Sequence, residues 1–442
     1  MNLWNFPSPK FCAVSSFFPM SDLPRVDSLK FPDLQQLLED IFLISGRVSH
    51  MEQVISALPS FFPAFIKAFN LIMRLDGPLP VPWRHYLAVL ASARFKCEYF
   101  TTIHGVEFLA SGGNPKWLEG IEYAPKKIQN ILDLNAFLAH QPWKLSTALI
   151  ENLVEGSDSW SLSELVHAIL ILTTFHAFCG FVFGLGITPE VDLVQNYHSK
   201  KKIEEFEFVE SDTSLKKKDD EATRALTKLL VTGSPSGDVP TDLATQVDCG
   251  DDLNDDSVHS VESNDSSKSD SSVCIHPLLS VPPALEYEDF FSKSREHHTF
   301  RLETYNWKDH GYSVISRYFF EAGKLLDEEW DLIYDLTEFN INTEVDVDTS
   351  PFRRAIWNYA HLVYGMVSDS YDYQVNLYLN KQLKKFIKKV ACHPQSISRK
   401  DFQQMGLELQ PHEKVHVALL AVEGRRHVCL LYALHALTTY RK

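Results

Sequence analysis

Apolar residues recur at spacings of three and four along two long stretches of the chain, a period that predicts amphipathic helices. In the first stretch the pattern covers residues 31–47, 51–75, 83–109, 124–140, 146–153 and 161–184. In the second it covers 312–339, 352–367, 373–390 and 413–440. Pro82 stands where a helix would make its first turn, the position that tolerates a missing N–H. Ser161 and Glu164 have the Ser-x-x-Glu spacing of a capping box ahead of an apolar run. Gly112-Gly113, Gly156 and Gly186 punctuate the pattern. No clear period-two stretch appears, so the expected fold class is all-α. Residues 165–189 contain no Asp, Glu, Lys or Arg and imitate a membrane span. His167, His176 and the three glycines Gly180, Gly184 and Gly186 make that segment a poor inserter. A buried core helix is expected there instead.

The two helical stretches echo each other. Glu164-Leu-Val-His167 opens one apolar helix and Glu413-Lys-Val-His416 opens another. An Arg-led helix precedes each, Arg84-His-Tyr-Leu in the first stretch and Arg353-Arg-Ala-Ile in the second. Four-residue echoes arise by chance, but their shared helical setting suggests a duplicated helical unit.

Between the stretches the composition changes. Phe208 and Tyr287 bracket 78 positions with no aromatic residue, where the chain average would supply about nine. That stretch holds 16 acidic and 6 basic residues and so carries most of the net charge of −16. Its middle, 250–272, is mainly Asp, Ser, Asn and Val, too polar to offset the entropy of ordering a backbone, and is expected to be disordered. A short amphipathic helix is expected at 221–231. The organisation expected is an N-terminal tail at 1–24, a helical domain at 25–205, an acidic linker at 206–289 and a second helical domain at 290–442.

The negative charge argues against a nucleic-acid binder with a general basic surface and against attraction to anionic membrane. The seven cysteines are scattered and form no CxxC pair, which speaks against a disulfide framework and a structural zinc site. A reducing compartment is the simplest home. No basic region leading into an apolar run marks a secretory signal. P-loop, GxGxxG, HExxH and GxSxG patterns are missing, and no metal or cofactor is expected.

Three places could carry chemistry. Cys97 and His104 lie seven residues apart, on one face if a single helix carries them, with Tyr99 between and Arg94 and Lys96 near enough to favour a thiolate. The plain alternative is a buried structural cysteine and a satisfied core histidine. Arg353 and Glu413 could hold a free amino acid, the guanidinium forking onto its carboxylate and the carboxylate taking its ammonium. Phe352 would receive the side chain, and Thr337, Asn340 and Thr349 would supply small polar groups for a lid. The alternative is an interhelical salt bridge. Finally, 368–373, Ser-Asp-Ser-Tyr-Asp-Tyr, reads as an exposed acidic and aromatic loop, either a solvated turn or a protein contact.

These residues sit within longer strings that resemble the sestrin family. The first stretch carries SARFKCEYFTTIHGVEFL, GGNPKWLEGIEYAPKKIQN, FLAHQPWKL and SWSLSELVHAILILT. The second carries YNWKDHGYSVISR, DTSPFRRAIWNYAH, SYDYQVN, HEKVHVALL and LLYALHALT. The resemblance implies two related all-helical subdomains of the AhpD alkylhydroperoxidase type, in cytoplasm and partly nucleus. It places a hydroperoxide-reducing set on Cys97, Tyr99 and His104. The second position of the AhpD CxxC pair is Phe100, so the thiol that would resolve a sulfenic acid is missing locally.

The same resemblance implies a leucine site in which Arg353 takes the carboxylate and Glu413 the ammonium, with His416, Thr337 and Thr349 around them. Departures from the family are Asn340 for a lid threonine, Glu338 for a tyrosine, Phe352 for a leucine and Gly406 for a tryptophan that floors the pocket. A lost aromatic wall is worth a few kcal/mol, on the order of a hundredfold in affinity. Two family aspartates that contact a GATOR-type complex, which controls the amino-acid branch of TOR-kinase signalling, fall on Asp369 and Ser370. The expected function is therefore a stress and nutrient regulator, with a hydroperoxide reductase and a scaffold with neither site active as the alternatives.

Overall fold

The computed structural model describes residues 14–23, 32–190, 193, 285–293, 297–337, 348–371, 375–406 and 409–441. The expectations for the linker between 194 and 284, disorder and the short helix at 221–231 included, lie outside the described residues. So do Glu338 and Asn340.

The first half contains α1 (Pro32–Ser45), α2 (His50–Ile55), α3 (Phe62–Met73), α4 (Val81–Ala93), α5 (Glu98–Ala110), α6 (Lys126–Asn130), α7 (Leu132–His140), α8 (Thr147–Val154) and α9 (Leu162–Gly184). The second contains α10 (Tyr312–Tyr318), α11 (Ala322–Asp335), α12 (Ser350–Leu362), α13 (Val375–Tyr378), α14 (Lys381–Cys392), α15 (Arg399–Gln404) and α16 (Pro411–Tyr440). Two-residue strands, β1 (Phe300–Arg301) and β2 (Met366–Val367), pair in parallel. Among the described residues the protein is all-α apart from this ladder, one isolated bridge and short turns of other helix types.

Several expected long helices are broken, and each break has a local cause. The 51–75 run divides around Pro59 and Pro63, which lack the N–H a continuing helix needs. The 83–109 run divides at Lys96, whose φ of 53° lies in the left-handed region. The 312–339 run divides at Glu321, φ 67°. Apolar periodicity survives such a break because the fragments keep facing the same core.

That core is continuous across both halves. The apolar α9 is buried inside the protein, as expected for a core helix. It lies against α16, the longest helix, and against α14. A Cβ at Gly180 of α9 would come within 2.3 Å of the Val390 carbonyl of α14, so only glycine permits that approach.

The duplicated unit is present. α3, α4 and α9 of the first half correspond to α11, α12 and α16 of the second. His167 Nε2 donates to the Ile72 carbonyl at 2.7 Å at the end of α3, and His416 Nε2 to the Ile333 carbonyl at 3.0 Å at the end of α11. Arg84 Nε donates to Leu79 O and Arg353 Nε to Tyr334 O, both at 2.8 Å. Glu164 and Glu413 each close a capping box at the start of the long helix. In each half the histidine thus satisfies a carbonyl in the last turn of a helix, as Arg353 does, while Arg84 serves Leu75 O just past α3 and Leu79 O in the loop before α4.

Two boundaries differ from expectation. Residues 14–23, read as tail, are docked. Ser15 forms an antiparallel bridge with Ile187, and the Phe17 and Phe18 rings lie 5.6 and 5.4 Å from Phe402. The apolar pair Phe17-Phe18 supplies the burial that holds them. Residues 285–289, read as linker, are also packed, where aromatic residues resume. Arg94 Nη2 donates to Leu285 O at 2.6 Å, Gln141 Nε2 to Glu286 O at 2.7 Å, and Tyr287 stands edge-on to His393 at 4.1 Å.

Candidate functional site

Cys97 is the N-cap of α5, and its N–H donates to Ser92 O at 3.1 Å. Tyr99 and His104 lie on α5 itself and line a small cleft of about 40 Å³ with Arg47, Glu52, Arg74 and His85. That is enough for a water or two. The Tyr99 hydroxyl accepts from Met51 N and donates to Glu190 Oε1, both at 3.0 Å. Burial and the neighbouring Glu190 push that hydroxyl well above the usual tyrosine range. His104 Nδ1 lies 3.0 Å from His85 Nδ1, so one ring nitrogen carries a proton that the other accepts. Burial holds His104 well below the ordinary histidine range, and burial with Arg74 and Arg84 holds His85 at about 3. The pair is neutral near pH 7.

Cys97 is not among the cleft-lining residues; only 1% of it is exposed. Its thiol instead neighbours the Cys179 thiol on α9, which burial and then Cys97 push well above the usual range. The structure therefore brings Tyr99 and His104 to the cleft and sets Cys97 behind it. The chain break at Lys96 is the reason, because Cys97 starts the helix rather than lying along one.

In the second half, Arg353, Glu413, His416 and Thr349 are buried, Phe352 is half-buried and Thr337 is exposed. Arg353 Nη1 also donates to Thr349 Oγ1. Glu413 Oε2 accepts from Gln410 N at 2.7 Å. Arg353 and Glu413 do not bridge to each other, so the interhelical salt bridge posed as the alternative is not what occupies them. Burial pushes the Arg353 guanidinium down and holds His416 at about 4, a neutral ring that donates to its carbonyl. Over Gly406 lies Leu409, whose side chain would come within 2.7 Å of a Cβ there.

The loop after β2 is braced from the β1 side. Asp369 Oδ1 accepts from Arg301 Nη2 at 2.7 Å, and Glu303 Oε1 accepts from both Asp369 N and Ser368 Oγ at 2.7 Å. Ser370 Oγ lies 2.8 Å from Ser368 Oγ. Asp369 and Ser370 are exposed, and Tyr371 is pinned inward to His361 Nδ1 at 2.7 Å. Asp372 and Tyr373 lie outside the described residues. The turn into β2 needs Gly365, with φ 72° and the Phe290 ring 2.2 Å from where a Cβ would stand.

Sequence reading missed Leu409, and it missed Cys179, Glu190, His85, Arg301 and Glu303, each distant in sequence from the residue it serves. The one available signal was the pair Arg425-Arg426 between the apolar runs 417–422 and 428–434 of one helix. Arg425 is fully buried and reaches into the first half, donating to His176 O at 2.8 Å and Ala139 O at 3.0 Å. Arg426 pairs with two buried carboxylates, Glu329 at 2.9 Å and Glu423 at 3.3 Å. Among the described residues no cluster of metal-ligating side chains occurs.

Comparison with known proteins agrees along the whole length. The family model described as PA26 p53-induced protein (sestrin) matches residues 13–441. A sestrin homolog of Dictyostelium discoideum is 36% identical over 92% of this chain and 73% of its own length. Human Sestrin-2 is 35% identical over 96% of this chain and 90% of its own, and mouse Sestrin-1 is 33% identical over 98% and 92%. With that coverage, and with the sestrin strings lying at the sites just described, the chain belongs to the sestrin family.

Proposed function

We propose that this sestrin restrains TOR-kinase signalling by binding a GATOR-type complex through the loop at 368–371, and that free leucine held between Arg353 and Glu413 releases it. The observation that carries this reading is a shared element. Arg353 lies in the first turn of α12, and the chain leaving that helix at Leu362 turns at Gly365 and passes through β2 to the exposed Asp369 and Ser370. A helix of 13 residues is about 20 Å long and stiff, so a change at its start is felt at its end. Leucine carboxylate would draw the guanidinium from Thr349 and Tyr334, and its ammonium would engage Glu413. Release follows only if leucine binds the partner-free form more tightly than the partner-bound form. Phe352 and Leu409 supply the apolar surroundings.

Calorimetric titration of leucine into the purified protein, with isoleucine, methionine and arginine as controls, tests the site. Saturable heat with leucine is expected, reduced at least a hundredfold in affinity by Arg353→Ala and by Glu413→Ala. Circular dichroism establishes that each variant is folded. Unchanged binding by both folded variants, or no heat with any amino acid, would sink the assignment.

A second reading, reduction of hydroperoxides at Cys97, is favoured by a specific observation: that thiol heads α5 with a second thiol beside it. Peroxide consumption by the purified protein is expected to vanish in Cys97→Ser while capture of the GATOR-type complex persists. Survival of consumption would show that Cys97 is not the nucleophile.

A further inference from the structure

Local sequence offers no thiol to resolve an oxidised Cys97, since Phe100 stands where a CxxC partner would be. The tertiary structure offers one. The turn carrying Cys97 is held against the second half of α9 by ring contacts on both sides of it. Phe95 meets His176 at 5.7 Å, and Phe100 stands edge-on to Phe175 at 5.2 Å. Cys179, one turn beyond His176 and Phe175, is thereby placed beside Cys97, and both thiols are buried and free. Phe100 also lines the cleft, so the turn that bears Cys97 forms part of the cleft wall.

A buried cation completes the setting. The Arg425 guanidinium lies 4.8 Å from the centre of the Phe95 ring and donates to His176 O. It opposes the effect of burial on Cys179, whose thiol nonetheless stays well above the usual range. Among the described residues no carboxylate pairs with Arg425. Its charge is left to favour negative charge developing on the Cys179 sulfur as it reacts.

We infer that Cys97 and Cys179 form a reversible disulfide on exposure to hydroperoxide, Cys179 being the resolving thiol. This rests on the second reading above, that Cys97 is the thiol oxidised first. The Cys97 thiolate attacks the terminal oxygen of ROOH. The O–O bond breaks and the alkoxide leaves, taking a proton to become ROH, with Cys97 now a sulfenic acid. The Cys179 sulfur then attacks the Cys97 sulfur. An S–S bond forms, the S–O bond breaks, and hydroxide leaves as water with the Cys179 proton. The two thiols lose two electrons and the peroxide gains them. An external dithiol returns the pair to its reduced state. Because one cysteine begins α5 and the other lies in α9, the bond would clamp the cleft wall to the helix that packs on the second half.

The test treats the full-length protein with a small excess of hydrogen peroxide, alkylates remaining thiols under denaturing conditions and maps peptides without reduction. Two of the seven thiols are expected to disappear, with one cross-linked pair of peptides containing Cys97 and Cys179, both restored by dithiothreitol. In Cys179→Ser, and in Cys179→Ala as a second small substitution, Cys97 is expected to stop at the sulfenic acid and take up dimedone. Dimedone-labelled Cys97 beside a still alkylatable Cys179 in the unmutated protein would overturn the pairing and leave the Cys97 reading standing. Linkage of Cys97 to Cys12, Cys249 or Cys274 would do the same. Absence of any oxidation at Cys97 would overturn both. Peptide mapping of the unmutated chain needs no variant, so a folding failure of either substitution does not blunt it.

Discussion

Replacing Arg426 with leucine is expected to lower the unfolding free energy by about 3–5 kcal/mol, the usual result of removing one partner from a buried ion cluster. Arg426, Glu329 and Glu423 are each at most 2% exposed, and Trp330 Nε1 also donates to Glu423 Oε2, at 2.9 Å. One cation faces two carboxylates in a dry site, so burial outweighs the cation's pull and raises both carboxyls, Glu329 to about 8. A folded-state value above the unfolded one means that the native protein holds the extra proton between about 4.5 and 8. Stability from that group is present below the lower value and is lost as pH rises through the upper. Without Arg426 both carboxyls climb further. The deficit of Arg426→Leu should therefore be larger at pH 8 than at pH 5, measured by urea unfolding at each. Adding Glu329→Gln and Glu423→Gln should recover part of it and flatten the difference. A deficit under about 1 kcal/mol, the scale of an exposed pair, would show that the cluster is solvated.

Arg425→Leu should lower stability by about 1–3 kcal/mol for a different reason, since it strands the buried Ala139 carbonyl in the last turn of α7, a cost of about 1–3 kcal/mol, whereas His176 O lies mid-helix in α9 and keeps its helical partner. Some relief comes from no longer burying a charge without a carboxylate partner, which keeps the figure from rising further. Arg425→Lys separates the two contributions. Lysine keeps the charge but presents a single ammonium, which cannot span His176 O and Ala139 O as the planar fork does. Comparable losses for leucine and lysine, read by denaturant unfolding, are the expected result. Full stability in the lysine variant would mean that charge rather than geometry holds the two halves together.

Much of the fold could be read along the chain. Helix content, the duplicated Arg, His and Glu positions, the capping boxes and the buried character of α9 all rest on interactions within a few residues, which spacing and residue type report directly. The breaks at Lys96 and Glu321 could not be read, because apolar periodicity continues through them. Nor could the docking of 14–23 and 285–289, whose binding surfaces belong to helices far along the chain.

The candidate sites divide the same way. Sequence by itself named Cys97, Tyr99 and His104, Arg353 and Glu413, and Asp369 and Ser370, because each lies in a continuous string. Only the tertiary structure decided that Cys97 parts company with Tyr99 and His104 and meets Cys179, that Arg353 and Glu413 keep separate partners, that Leu409 lies over Gly406, and that Arg301 and Glu303 brace Asp369. The reason is physical. A backbone fixes which groups can meet within a turn of helix, whereas contacts between helices depend on how whole faces pack, and that is settled by the burial of the entire core at once.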